Sequence, residues 1–281
     1  MAAIPLSAVL GSPLAGWILG HAWLSLAGWR WLFVVEGLPA ILLGAVAFFF
    51  LTDWPREAAW LRPEQRQWIE EKVQRDDVDR PQAMPGWQAI RSNSVLLLAA
   101  VTFLNYFLCY CFLFWFPTLL KRQSGFSDVQ VGLLGAIPYV AAAIAMHVNG
   151  WHSDRYRERR WHACVPVLIA AGALLILQTQ VRSMPLFLTL FTLVGMALAY
   201  LPAFWAIPTE RLSHSAAATA VGMINAVGSI AGFAGPYTFG YLYNRTGSFS
   251  VGLSLMMATG LVGGLLILRI SDVRHTPIQS C

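Results

Sequence analysis

Few residues in the apolar stretches of this chain could do chemistry, and each has a structural alternative. Asn225 stands between Ile224 and Ala226 in an otherwise apolar run. Its amide can hydrogen-bond a carboxylate or hydroxyl of a ligand, or bond a neighbouring helix for only about 0.6 kcal/mol. Tyr106 and Tyr110 are four apart, so a helix places them on one face. They could line a cavity with phenol groups, or pack, or sit in an interfacial belt. Phe204 and Trp205 could shape the same pocket or belong to a belt at the membrane surface. Glu36 is the one acid clearly inside an apolar stretch, and intramembrane acids are functional suspects. Its position near Arg30 favours a structural partner over a proton site. His147 reads as structural.

The second chemical cluster is the polar run GWHSDRYRERR, Gly150 to Arg160. Gly150 permits a tight helix exit. Asp154 can accept hydrogen bonds from a helix N-terminus or an arginine. With Arg155, Arg159 and Arg160 it could latch two helices and release them. The alternative is a basic loop that only sets orientation. Other chemistries find no support. There is no HExxH, no CxxC among the four cysteines and no GxxxxGK[ST] loop, so no metal site, cofactor or ATP coupling is implied. A membrane-embedded enzyme would need a nucleophile, metal ligands or paired acids at depth, and the acids in the spans are too few. No basic cluster has the aromatic interleaving of a nucleic-acid site.

These residues are held by apolar helices. Hydrophobic residues make up 57% of the chain and charged ones 12%, against about 25% charged in soluble domains. A helix needs roughly 20 mostly apolar residues to cross a bilayer core. Trp31 to Leu51, WLFVVEGLPAILLGAVAFFFL, is one such stretch. Window counting predicts about eight spans: 2–20, 30–51, 94–117, 129–149, 163–181, 185–206, 216–242 and 249–270. The fold class expected is all-α, a polytopic membrane helix bundle. Glycines at 11 and 16 around Pro13, and at 222, 228, 232, 235 and 240 with Pro236, suit close helix packing and bending.

Eight crossings put both termini on one face. Taking that face as cytoplasmic assigns fourteen Lys and Arg inside and five outside, the bias of the positive-inside rule. The only long polar segment, Thr52 to Asn93, divides the chain. Pro63 and Glu64 suit a helix start there, although Arg62 stands where a capping Ser or Asp is expected. Met1 opens directly into an apolar span without a basic flank. It reads as an internal helix of a longer protein, so the chain is expected to be N-terminally truncated.

The Gly150–Arg160 loop resembles the signature loop of the major facilitator superfamily, at Gly150, Asp154, Arg155, Arg159 and Arg160. Further phrases narrow the likeness: GWRWLFVVEGLPAILLG from Gly28, WLRPEQRQWI from Trp60, FLFWFPTLLK from Phe112, PAFWAIPTERL from Pro202 and INAVGSIAGFAGPYTFGYL from Ile224. Together they are similar to the anion:cation symporter family, whose members carry tartrate, phthalate, hydroxyphenylacetate or sugar acids, usually with protons. The resemblance implies a facilitator fold lacking its first four helices. Residues 1–51 would be the last two helices of the N-terminal bundle, 52–93 the cytoplasmic central loop, 94–270 a six-helix C-terminal bundle and 271–281 a cytoplasmic tail. It also implies a cavity Asn at Asn225. The family's arginine on the first helix, and its carboxylate and arginine on the fourth, have no counterpart.

The function implied is secondary transport of small organic anions by alternating access, coupled to protons, in the inner membrane, with this chain alone inactive. The alternative is a non-transporting remnant, or a sensing or structural relative. Nothing in the sequence names the anion or sets an oligomeric state. The membrane reading makes one prediction: a carbonate wash without detergent should leave the expressed chain in the membrane pellet, and its release would refute an integral protein.

Overall fold

Apolar runs of about 20 residues point to helices, which satisfy their own backbone polar groups in hydrocarbon. The computed structural model describes residues 1, 3–21, 26–78, 91–179, 181–211 and 214–270. Residues 79–90 of the polar segment and the tail from 271 to 281 lie outside them. The helices are α1 (Ala3–Leu19), α2 (Gly28–Phe50), α3 (Pro63–Val78), α4 (Asn93–Ser124), α5 (Asp128–Tyr156), α6 (Arg160–Leu177), α7 (Met184–Gly195), α8 (Leu201–Arg211), α9 (His214–Thr246) and α10 (Ser250–Ile267). A 3₁₀ segment, Met196–Tyr200, joins α7 to α8.

Among the described residues, seven spans are long and apolar enough to cross a bilayer, counting Met184–Glu210 as one. The eighth expected span is α1. At 17 residues it is shorter, about 26 Å at 1.5 Å per residue. Several helices outrun their apolar windows: α4 continues to Ser124 and α9 to Thr246. Their ends are set by local chemistry. Ser92 caps α4 by accepting from Val95 N–H at 3.3 Å, and Gly125, at φ 68°, ends it with an N–H to the Lys121 carbonyl. Ser127 and Gln130 form a capping box at the start of α5. The start of α3 lacks a capping side chain at Arg62, but the Arg62 N–H donates to Gln65 Oε1 at 3.1 Å.

The chain forms two compact units, Ile18–Ala83 and the remainder. In the first, α2 is almost wholly exposed. Glu36 is exposed there and makes no ion pair with Arg30, whose guanidinium lies over the Trp29 ring, 5.3 Å from its centroid. In the second, α4 to α10 bundle around two apolar clusters, one centred on Phe112, Phe116 and Phe191, the other on Val101, Tyr200 and Phe204.

The longest helix pairing joins α4 to α9. The glycines of α9 make it possible. A Cβ on Gly228 would lie 2.5 Å from Thr102 Cγ2 and 2.9 Å from the Tyr106 ring; on Gly232 it would meet the Tyr110 ring, and on Gly240 the Trp115 ring. Trp115 Nε1 also donates to the Pro236 carbonyl at 3.1 Å. Small residues here admit large ones opposite, the packing that substitutes for the hydrophobic effect between helices in lipid.

A second close crossing seats α1 on α5. Ser12 Oγ donates to the Gly132 carbonyl at 3.0 Å. A Cβ on Gly132 would fall 2.5 Å from the Ser12 carbonyl oxygen and 3.3 Å from Gly16 Cα. These are backbone atoms and cannot yield by changing rotamer. Gly132→Ala should therefore destabilise the detergent-solubilised chain by about 1–3 kcal/mol. Gly172→Ala, where nothing lies within 4 Å, should not. Equal melting temperatures for the two variants would show that the crossing is slack.

Candidate functional site

Two groups of side chains can do chemistry: an aromatic cavity in the bundle and a charged network at one end of it. The cavity holds about 140 Å³. Tyr106 and Tyr110 on α4, Tyr139 on α5, Tyr200 at the end of the 3₁₀ segment, and Ile4 and Ala8 on α1 are among its walls. The spacing of four brings Tyr106 and Tyr110 together, with ring centroids 5.7 Å apart and planes at 74°. Their rings rest on the glycines of α9, which hold them in place. Trp205 lies beside Tyr106.

Tyr200 is the informative residue. Its side chain is fully buried, and its hydroxyl has no hydrogen-bond partner among the described residues. A buried polar group left unpaired costs about 1–3 kcal/mol. The ring is held by Phe204, centroid to centroid 5.6 Å. Among the described residues, no Lys, Arg or His lines the cavity.

The structure distributes the remaining expected cavity residues differently. Phe204 is fully buried and borders Tyr200 and Trp205 rather than the cavity. Asn225 is exposed on α9, one turn before Gly228, and is not among the cavity walls. Another amide escaped the sequence reading. Asn105, one residue before Tyr106, is buried at 1% exposure, has neither amide atom paired among the described residues, and packs against Gly263 of α10. His147 bonds its own helix, Nδ1 to the Ala143 carbonyl at 3.0 Å.

The charged network lies where α5, α6 and α8 end or begin. Arg159 is its centre. It donates to Asp154, to Ser153 Oγ at 2.9 Å, and through Nε and Nη2 to Glu210 Oε1 at 3.1 and 2.7 Å. Burial draws its guanidinium down, but Glu210 and Asp154 more than offset this, so it stays charged. Arg160 donates to the Leu268 carbonyl just past α10, and Arg155 is exposed. Gly150 lies close to Pro202, where a Cβ would come within 3.3 Å of the Pro202 Cβ. The backbone reverses at Arg157, φ 50°. Glu210, Ser153 and Glu158 were not singled out from the sequence. An acid just past an apolar run reads there as a boundary residue.

Glu158 caps α6. It accepts from the Trp161 N–H at 2.8 Å, the His162 N–H at 3.3 Å and His162 Nδ1 at 2.6 Å, and His162 Nε2 meets His152 Nδ1 at 2.6 Å. Burial pushes the Glu158 carboxyl up, but these hydrogen bonds together outweigh it and hold the group below its ordinary value. A depressed carboxyl stabilises the fold above the unfolded value of about 4.3 and loses that contribution as pH falls through the lowered one. Glu158→Gln should therefore lower the melting temperature at neutral pH by about 2–4 °C per kcal/mol lost. The gap should close below about pH 4. A gap that persists in acid would show that shape, not charge, makes the cap.

Residues 1–236 match the model of the Major Facilitator Superfamily. A putative tartrate transporter of Agrobacterium vitis is 38% identical over 274 residues, 95% of this chain and 60% of the relative. The quinolone resistance transporter of Acinetobacter baumannii is 34% identical across 92% of this chain and 61% of its own. Among solved structures, a bacterial homologue of the human lysosomal transporter Spinster, inward-facing and occupied, matches with a TM-score of 0.63 at 18% identity, covering 95% of this chain and 67% of that one. That likeness is one of fold. The chain spans about 60% of the length of these two curated relatives. With an all-helical bundle of apolar spans and a family match over most of its length, the chain belongs to the Major Facilitator Superfamily.

Proposed function

We propose that the chain is part of a secondary transporter that carries small organic anions with protons by alternating access. The observation that carries this reading is the unpaired Tyr200 hydroxyl, buried beside a cavity that Tyr106, Tyr110 and Tyr139 also line. Phenol groups donate to carboxylate and hydroxyl oxygens while their rings exclude water. The named activity of the Agrobacterium relative, putative tartrate transport, supports an organic anion. A remnant without transport would have no use for a buried donor left unsatisfied. Residues 1–51 would supply two helices of one bundle, 94–270 the six of the other, and 52–93 and 271–281 the cytoplasmic loop and tail. The lysine and arginine bias supports an inner-membrane protein with both termini inside.

Within this reading, Tyr106 and Tyr110 contact the substrate in the cavity, Trp205 and the exposed Asn225 contact it outside those walls, and Phe204 seats Tyr200 and Trp205. Gly150, Asp154, Arg155, Arg159 and Arg160 form the latch, joined by Glu210, because Arg159 ties two separate helix ends together. Among the described residues no cation lines the cavity to neutralise a carboxylate, and within this reading the 281 residues alone do not transport.

Proton-driven uptake of labelled tartrate into vesicles tests this, using the chain and the longer product of its gene where the frame extends upstream. The longer product should take up tartrate. Tyr200→Phe should keep or raise its melting temperature, because an unpaired hydroxyl is removed, while uptake falls about tenfold, equivalent to one lost hydrogen bond of about 1.4 kcal/mol. Asn225→Ala should weaken uptake with normal membrane insertion. Asp154→Asn should shift cysteine accessibility between the two faces. No carboxylate uptake by the longer product would defeat the transport reading, and strong uptake by the 281 residues alone would defeat the inactivity.

A further inference from the structure

The end of the bundle opposite the Asp154 loop carries a separate crevice of about 450 Å³. The ends of α4 and α6 and the starts of α7 and α10 form it. Phe191 and Leu253 supply an apolar floor, Ser248 and Ser250 part of a polar wall, and Arg122 and Arg182 bring charge. Nothing assigned to the transport reading lies here, and the inference does not rest on that reading.

The electrostatics at this end are unbalanced. Its described helix ends and connections hold Lys121, Arg122, Arg182 and Arg245 against one acid, Asp128, which Lys121 already pairs. Among the described residues no carboxylate pairs with Arg122 or Arg182. The two arginines are nevertheless carried on fixed supports. The Arg122 guanidinium lies 4.9 Å from the Tyr243 ring centroid and 5.5 Å from that of Phe249, and it donates to the Tyr243 hydroxyl. Stacking of this kind holds a guanidinium in place while leaving donors for a further oxygen. Gln123 Nε2 donates to the Val181 carbonyl at 3.0 Å, tying the end of α4 to the residue before Arg182. Gln178, also on the wall, is locked by Ser254 Oγ at 2.7 Å. Two arginines on tethered segments at a walled crevice, with no protein counter-ion, have the chemistry of an oxyanion receptor.

We propose that this crevice binds an oxyanion, a carboxylate or phosphate group, through Arg122 and Arg182. The group has two possible sources, a small solute in the adjoining water or the headgroup of an anionic lipid.

The full chain in detergent tests both. Calorimetric titration with sodium succinate and with sodium phosphate reads the soluble source. Native mass spectrometry after exposure to phosphatidylglycerol or phosphatidylcholine reads the lipid source. Binding in either arm should weaken about tenfold or more in the double variant Arg122→Gln/Arg182→Gln and stay unchanged in Arg245→Gln, which removes a cation from the same end but not from the crevice. The arm that responds identifies the source. The proposal is overturned by absence of binding in the titrations together with no preference for phosphatidylglycerol. It is equally overturned if the double variant binds normally, or if Arg245→Gln weakens binding as much, since bulk charge would then be the cause. Should the double variant misfold, Arg182→Gln alone, at an exposed side chain, carries the same comparison.

Discussion

The close approach of α4 and α9 governs most of what this bundle can do. Helices in lipid gain little from burying apolar surface against each other, so contact area and fit must hold them. Here the fit is asymmetric: α9 offers glycines, and α4 fills the notches with Tyr106, Tyr110 and Trp115. The same notches that shorten the distance between the backbones fix the orientation of the two tyrosines. Structural packing and the chemistry of the cavity therefore share one set of residues. Enlarging a glycine on α9 would displace a cavity wall even though the glycine is not itself part of that wall.

The charged network follows a different logic. Its groups sit at helix ends, where backbone N–H groups need partners and water is near. One arginine satisfies an acid at the end of α5 and an acid on α8, while Glu158 satisfies the first turn of α6. Two jobs, finishing helices and joining them, are thus combined within a few residues. This explains why the loop is rich in charge of both signs, which orientation in the membrane alone does not require.

Much of this was legible in the sequence, but unevenly. Apolar windows located seven spans, because the bilayer sets their length. They misjudged ends, since a helix stops where a Gly125 or a Ser127 cap stops it and not where the lipid does. The Tyr106–Tyr110 pair was readable because both lie on one uninterrupted helix. Phe204 was not, since its direction depends on how the chain winds ahead of it. Two amides illustrate the limit: Asn225 is exposed and Asn105 is enclosed, though each is a lone polar residue in an apolar run. Which side of a helix meets a neighbour is decided by long-range packing. Tyr200 and Glu210 gained their meaning the same way, from partners or their absence far along the chain.

The 3₁₀ segment from Met196 to Tyr200 sets the angular phase of everything after it. A 3₁₀ turn advances about 120° and 2.0 Å per residue, against about 100° and 1.5 Å in an α-helix. Over five residues the difference accumulates to about 100° of rotation and about 2.5 Å of advance. A continuous α-helix in its place would carry the carboxylate of Glu210 a quarter-turn away from Arg159 and swing Trp205 off Tyr106. This short overwound stretch thus acts as a spacer of fixed pitch, keeping the aromatic chamber and the ionic clasp in register along a single span.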